Sequence, residues 1–226
     1  MPYRRSGTVP SAEVLVSKFE AAIKSLVQRF RNHPYAFYTE TDMHCYLYHR
    51  LYSGGLANGL YHTIEGYDTI LLHKEYPTVA RCSRGDDGHL RESVDGRRRG
   101  AFDICIWDPA YIAGRDHRKQ KVLCAAELAL NETRRGNPHT INDTTKLAGP
   151  ENEIKYGYLL FFVRDDPCYE DNKEEIWANL NDAAKRVRVA FAQVNGSKKP
   201  KPQYLPEGAW FTPFSLPRKR PAGGRK

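Results

Sequence analysis

The sequence predicts an α/β fold in which helices flank a central mixed β-sheet. Two amphipathic helical patterns come first, at residues 11–31 and 39–52. Short and nearly continuous apolar runs follow at 101–107, 122–130 and 156–163, and such runs are typical of strands that are covered on both faces. A long helical pattern lies closer to the C-terminus. Taken together, the segments predict the order α-α-β-β-β-(α)-β-α-β.

The two N-terminal helices are predicted from their start signals and their apolar spacing. Ser11 can cap the first helix, and Thr39 with Asp42 forms a capping-box variant at the start of the second. Apolar residues recur at helical spacing in both segments: Leu15, Phe19, Ile23, Leu26 and Phe30 in the first, and Met43, Leu47 and Leu51 in the second.

The remaining elements are predicted from apolar runs, capping signals and breaks. They are, in chain order, strand 69–77, strand 101–107, strand 122–130, a short helix over 142–148, strand 156–163, a long helix and strand 209–216. Asp171 with Glu174 marks the start of the long helix, and its apolar stripe runs on to Val194. The polar stretch 81–100 is predicted to be a loop or a hairpin tip.

The length of 226 residues and the apolar fraction of 40% fit one domain with a substantial core. We predict a single domain over residues 1–216, with a helical part at 11–52, a sheet core at 69–216 and a basic, disordered tail at 217–226. The mean hydropathy is −0.67 and no apolar run reaches about 18 residues, which argues against a transmembrane helix. The polar N-terminal stretch carries no secretion signal, so we expect an intracellular protein without a membrane partner.

The cysteines predict reduced thiols. The chain has five: Cys45, Cys82, Cys105, Cys124 and Cys168. Their number is odd, and their spacing matches neither a zinc knuckle nor a disulfide scaffold. Reduced thiols are typical of the cytoplasm, or of the nucleus in a eukaryote, and this is the expected location.

The net charge of +8 is concentrated at the C-terminal end of the chain. Residues 196–226 hold eight lysines and arginines and one acid, Glu207, whereas the preceding residues are nearly balanced. A basic end of this kind favours a polyanionic partner, most simply nucleic acid.

Two carboxylates interrupt predicted strands, where an unpaired charge is costly: Asp103 and Glu127. If the two strands are neighbours, these side chains meet at one edge of the sheet. Glu75 from the preceding strand and Glu40 from the second helix can join them there. Converging acids repel one another and favour a divalent cation, and oxygen ligands favour Mg²⁺ or Mn²⁺. For Asp103, pairing with a nearby arginine is the alternative.

This pattern resembles the PD-(D/E)XK nuclease superfamily, whose restriction-endonuclease-like core has the order α-β-β-β-α-β. Arg99-Gly100-Ala101-Phe102-Asp103-Ile104 is similar to the strand that carries the family's Asp, and Glu127 matches the (D/E) position. Glu40 and Glu75 resemble acids that other members place on the preceding helix and before the Asp strand. The resemblance covers about residues 36–195. It implies a Mg²⁺-dependent (or Mn²⁺-dependent) nuclease with Asp103, Glu127 and Glu75 as metal ligands, and Glu40 beside a second ion or a water.

One residue departs from the family pattern: Ala129 occupies the position of the family's lysine. Residues 127 and 129 point to the same face of a strand, so a lysine at 129 would reach the metal pocket. Three explanations are open. The chain is an engineered lysine-to-alanine variant, which the sequence ranks first. Alternatively, the lysine has moved, with Lys146 as the main candidate and Lys155 as a weaker one, or the domain binds nucleic acid without cleaving it.

Basic residues near the predicted site are candidates for phosphate contacts. They are Arg97, Arg98, Arg99, Arg134 and Arg135 on loops, and Lys146 on the next helix. The predicted activity is hydrolysis of phosphodiester bonds in nucleic acid, with DNA favoured over RNA, by a chain that can also form a homodimer. The alternatives are a catalytically degenerate nucleic-acid-binding module of the same fold, and a structural or regulatory partner protein whose tail binds another acidic molecule.

The histidines of the second helix are predicted to be packing or surface groups. His44 and His49 are five residues apart, which is not the spacing of a metal pair on a helix. His73, two residues before Glu75, is predicted to be an ordinary strand histidine.

Overall fold

The computed structural model describes residues 4–5, 9–56, 59–62, 68–78, 82–84, 90–92, 100–109, 122–136 and 139–194. Four α-helices lie in these ranges: α1 Ala12–Asn32, α2 Glu40–Leu51, α3 His139–Ala148 and α4 Pro167–Ala183. The strands are β1 Arg4–Arg5, β2 Gly59–His62, β3 Asp68–Thr69, β4 Leu72–Pro77, β5 Cys82–Arg84, β6 Leu90–Glu92, β7 Ala101–Trp107, β8 Val122–Leu130, β9 Ile154–Arg164 and β10 Arg188–Val194. The predicted mixed α/β class is confirmed.

Five strands form the central mixed sheet, in the order β10-β9-β8-β7-β4. β4, β7 and β8 pair antiparallel, whereas β8, β9 and β10 pair parallel. β7 and β8 are therefore neighbours, which is the condition under which their two carboxylates can meet. Two small sheets accompany this one, β1-β2-β3 and β5-β6.

The N-terminal helices begin where their capping signals predict. The Ser11 hydroxyl accepts a hydrogen bond from Val14 N at 3.4 Å, and Thr39 and Asp42 form a complete capping box. The predicted apolar stripe of α1 is buried, and it packs against the sheet through ring contacts of Phe19 with Tyr158 and of Phe30 with Phe162. α1 thus covers β9 in the middle of the sheet.

The prediction of one long helix from Asp171 to Val194 is wrong. α4 begins four residues earlier, where the Asp166 carboxylate accepts a hydrogen bond from Cys168 N at 2.9 Å, and it ends at Ala183. The residues that follow form β10, which pairs parallel with β9 along its whole length. Most apolar residues of β10 are consecutive and buried, so every third or fourth one also fits the apolar stripe of a helix. Pairing with β9 decides in favour of a strand.

Other boundaries differ by a few residues. The predicted strand 69–77 begins as a full strand only at Leu72, and the predicted helix 142–148 begins at His139. The predicted strand 209–216 and the tail 217–226 lie outside the described residues, so the single domain over 1–216 stays a prediction. Among the described cysteines, Cys45, Cys105, Cys124 and Cys168 are free thiols. In the described ranges no helix combines the length and the apolar character that crossing a membrane requires.

Candidate functional site

Carboxylates from three adjacent strands lie in one row across the sheet. Extending the pairing of Ile104 with Ala126 by one residue aligns Asp103 with Glu127. On the other side, β4 and β7 pair at Lys74–Ile104 and at Tyr76–Phe102, so Glu75 stands beside Asp103. The structure therefore brings the sequence-predicted strand acids together. With two further carboxylates from the helices they form a group that we call the acid cluster: Glu40, Glu75, Asp103, Glu127 and Asp143.

Asp103 lies at the centre of the acid cluster. Its Oδ2 accepts a hydrogen bond from Leu128 N at 2.7 Å and lies 3.3 Å from Nε2 of His44. Burial raises the pKa values of Glu40, Glu127 and Asp143, and the negative charge of Asp103 raises each of them further. Within the described residues Asp103 contacts Leu128 and His44, whereas the arginines of the alternative pairing, Arg97 to Arg99, lie outside them.

Glu127 is the most deeply buried member of the acid cluster, with 3% of the residue exposed. Burial, followed by the charge of Asp103, raises the pKa of its carboxyl well above the usual glutamate value. Its Oε2 lies 2.7 Å from Nζ of Lys146. Its Oε1 is also buried and has no hydrogen-bond partner in the described part of the chain. A buried carboxylate oxygen of this kind is ready to accept a cation.

Lys146 reaches the site from α3 rather than from a strand. Besides Glu127, its Nζ lies 3.3 Å from Asp143 Oδ1 and donates to the Ala101 carbonyl at 3.0 Å. Burial lowers the pKa of Lys146, but the charges of Glu127 and Asp143 outweigh it, so the pKa is raised and the ammonium stays charged at neutral pH.

The two other positions considered for the lysine do not supply a cation here. Ala129 is 2% exposed and lies two residues beyond Glu127 on the same face of β8. Lys155, the weaker candidate, instead places its Nζ 5.7 Å from the ring centroid of Tyr156. Of these three positions, Lys146 alone has its ammonium against the acid cluster.

α2 contributes two side chains from one face. Glu40, in its first turn, accepts a hydrogen bond from Leu130 N at 3.3 Å through Oε2, and burial and Asp103 raise its pKa. His44 follows one turn later, with Nε2 3.7 Å from Glu40 Oε1. Burial lowers the pKa of His44, but Asp103 and Glu40 raise it by more, so the net shift is upward.

Sequence analysis missed His44 as a member of the site. The spacing of His44 and His49 does not indicate a metal pair, whereas the separation of four residues between Glu40 and His44 places both side chains on one helix face. The ring of His44 is buried and its Nε2 faces Asp103. The interpretation of His44 as a packing group is therefore incomplete.

Glu75 occupies a strained backbone conformation. Its φ is 52°, in the left-handed region that non-glycine residues rarely adopt, and the β4–β7 pairing is interrupted at this residue. Such a conformation costs about 1–3 kcal/mol and is most often retained at functional sites. Ligand atoms of His44, Glu75 and Asp103 all lie within 4.8 Å of one another, which identifies what the strained residue faces.

This donor set fits a divalent cation. It combines carboxylates that repel one another, an orphaned buried oxygen on Glu127, and an imidazole nitrogen. Mg²⁺ is bound through oxygen, whereas Mn²⁺ also accepts imidazole, so His44 favours Mn²⁺ within the predicted pair of ions.

The sequence-predicted basic residues fall into three groups. Arg134 and Arg135 are exposed on the loop after β8 and line an open cavity of about 470 Å³ together with Asn131, Glu132, Gly136 and His139. Lys146 is mostly buried against Glu127, which indicates a place inside the site rather than on a phosphate-binding surface. Arg97, Arg98 and Arg99 lie outside the described residues.

Comparisons with known proteins found no matching family model, no similar curated protein and no similar solved structure. The function of this chain must therefore be argued from the geometry of the site.

Proposed function

We propose that this protein is a divalent-cation-dependent nuclease of the PD-(D/E)XK type, in which Lys146 takes the place of the lysine absent at position 129. The observation that supports this most is the 2.7 Å contact between Lys146 Nζ and Glu127 Oε2, with Asp103 on the neighbouring strand. The resemblance requires an acid pair with a lysine; the family places that lysine on the strand of the (D/E) acid, whereas here Lys146 would supply it from α3.

The order of the elements gives independent support. α2, β4, β7, β8, α3 and β9 follow one another in the order α-β-β-β-α-β, and within the described ranges the additions are small strands and two short helical turns. The first three of these strands pair antiparallel, and β9 then pairs parallel with β8 after α3. This topology is consistent with a restriction-endonuclease-like core.

Asp103, Glu127 and Glu75 would hold the cation, with His44 as a nitrogen ligand. A cation bound there would supply charge to polarise the scissile phosphate and would lower the pKa of the attacking water. The cation and Lys146 can share Glu127, because Lys146 contacts Oε2 and leaves Oε1 for the ion.

Lys146 and Glu40 would have different roles: one would stabilise negative charge and the other would accept a proton. Lys146 has a raised pKa and stays protonated, so it would stabilise negative charge on the phosphate as a donor and would not act as a base. Burial and the charge of Asp103 raise the pKa of Glu40 above the usual glutamate value, so Glu40 is the better acceptor for the proton of the attacking water. The substrate is a polynucleotide, with DNA as the first candidate.

Cleavage assays with matched lysine variants test this proposal. The protein is incubated with single-stranded and double-stranded DNA and RNA in Mg²⁺ or Mn²⁺, and with a chelator as the blank. We expect Lys146→Met to reduce the rate by roughly 10²–10³-fold, the loss typical of one transition-state donor, and Lys155→Met to change little. Asp103→Asn should abolish cleavage.

A lysine exchange makes the test sharper. Combining Lys146→Ala with Ala129→Lys returns an ammonium to the same face of β8 as Glu127 and should restore part of the activity. Full activity in Lys146→Met would disprove the role of this lysine. A wild-type protein that binds nucleic acid and Mn²⁺ but cuts no substrate would instead support the degenerate binding module.

A further inference from the structure

The rim of the candidate site carries an unusually exposed aromatic ring. Within the described ranges, three large apolar side chains are exposed: Val14, Tyr35 and Tyr38. Tyr38 is the most exposed of them, at 85%, and it stands two residues before Glu40. Two residues span at most about 7 Å between Cα atoms, so the backbone of Tyr38 lies close to that of Glu40.

The backbone that carries Tyr38 is held firmly. Its N–H donates to Asp42 Oδ2 at 2.8 Å, and its carbonyl accepts from Arg164 Nη2 at 3.4 Å. The same guanidinium also donates to the carbonyls of Pro34, at 2.8 Å, and Phe37. The structure thus presents an exposed ring on a fixed segment, and such preorganisation reduces the entropy lost on binding.

Neighbouring Tyr35 is engaged in contacts of its own. Its hydroxyl donates to Asp165, and the guanidinium of Arg164 lies 5.3 Å from its ring centroid. One face of Tyr35 is therefore covered, which makes this residue a natural control for Tyr38.

A loop that carries two exposed arginines lies at the same edge of the sheet. The hydrogen bond from Leu130 N to Glu40 Oε2 brings the end of β8 to the start of α2, and the loop with Arg134 and Arg135 follows directly. α4 holds this loop in place, since Asn172 donates to the Thr133 carbonyl and Gly136 N donates to Glu175, each at 2.9 Å. The arginines themselves stay exposed.

We infer that this edge binds a single-stranded polynucleotide, with an unpaired base stacked on Tyr38 and backbone phosphates on Arg134 and Arg135. The inference rests on the proposed nuclease function and specifies its substrate. An aromatic ring beside a basic surface is how proteins bind single strands, because the face of an unpaired base is free to stack. In a duplex the base faces are already stacked inside the helix, so Tyr38 could not use them.

Binding in a cleavage-deficient background tests the inference. The full-length Glu127→Gln protein with Mn²⁺ is titrated with a labelled single-stranded DNA, its duplex, and the same strand with abasic sites. We expect Tyr38→Ala to weaken binding of the single strand by roughly 5- to 150-fold, the usual value of one stacked base, and to leave duplex binding unchanged. Tyr38→Phe should retain the affinity, and Tyr35→Phe should behave as the parent protein.

The outcomes separate this inference from the proposed function. Equal losses for single strand and duplex, or equal affinity of the normal and the abasic strand, would disprove stacking on Tyr38. Unchanged single-strand binding by Tyr38→Ala in this background, together with DNA cleavage by the protein that keeps Glu127, would disprove the inference and leave the proposed nuclease function intact. If no nucleic acid binds to the parent protein, the proposed function fails first. Because the side chain of Tyr38 is exposed, its replacement should leave thermal unfolding unchanged, and this is checked by circular dichroism.

Discussion

Replacing Lys146 by methionine should destabilise the cation-free protein markedly. The variant keeps most of the stem but removes the ammonium that lies 2.7 Å from Glu127 Oε2. Glu127 is then a nearly fully buried carboxylate beside Asp103 and Asp143, with its other oxygen already without a partner. Leaving one partner of a buried ion pair uncompensated costs about 3–5 kcal/mol. Because Glu127 can take up a proton instead, we expect a loss near the lower value, about 3 kcal/mol at neutral pH.

A double-mutant cycle isolates the contact between the two side chains. Glu127→Gln should cost less, roughly 1 kcal/mol, because Lys146 keeps Asp143 at 3.3 Å and the Ala101 carbonyl. The double variant has no buried charge from this pair and should lose far less than the sum of the single variants. We expect a coupling free energy of about 2 kcal/mol.

Urea unfolding with a chelator, at about pH 7.5 and again at about pH 5, measures these quantities. The folded-state pKa of Glu127 is raised, so its ionisation costs stability as the pH rises above the usual glutamate value. The deficit of Lys146→Met should therefore shrink at the lower pH. Additive single variants, or a deficit that is the same at both pH values, would refute the argument that Lys146 compensates the charge of Glu127.

Three further predictions follow from the same site. Glu75→Gly should relieve the strain of the positive φ and raise the free energy of unfolding by about 1 kcal/mol. Calorimetric titration should show weaker Mn²⁺ binding by this variant. A destabilised variant would contradict the statement that the backbone is strained at Glu75. The protein should bind Mn²⁺ more than about tenfold tighter than Mg²⁺, and His44→Asp should reduce that ratio, whereas an unchanged ratio would exclude His44 as a ligand. Without a cation, the free energy of unfolding should fall from about pH 5 to about pH 8. Glu40, Glu127 and Asp143 have raised pKa values and must ionise within the folded protein as the pH rises. His44, whose pKa is also raised, loses its proton and with it the attraction to the carboxylates. Thermal unfolding measured across this pH interval checks the prediction. Saturating Mn²⁺ should remove most of the loss of stability, and a stability that rises with pH would contradict the direction of these pKa shifts.

Features that depend on adjacent residues could be predicted from the sequence. The caps of α1 and α2 are local hydrogen bonds, and the structure contains both of them. Strands β7 and β8 have the predicted bounds, because each is a continuous apolar run between polar segments. The charges inside these runs, Asp103 and Glu127, pointed to a site because burying an unpaired carboxylate is expensive.

The fate of residues 184–194 could not be decided by pattern alone. Val187, Phe191 and Val194 recur at helical spacing, whereas the consecutive apolar residues 189–192 are equally typical of a buried strand, and no cap or proline separates the two possibilities here. Pairing with β9 settles the matter, since it satisfies the backbone of β10 along its full length.

The sequence by itself determined the class of the fold, the starts of the first two helices and the pair of strand carboxylates. Only the tertiary structure decided which other side chains join them: Lys146, which packs onto Glu127 from a helix nineteen positions further along the chain, and His44, which faces Asp103 from α2. The physical reason is that capping and strand burial depend on neighbours in the chain, whereas the charges around a buried carboxylate come from whichever elements the sheet order brings beside it.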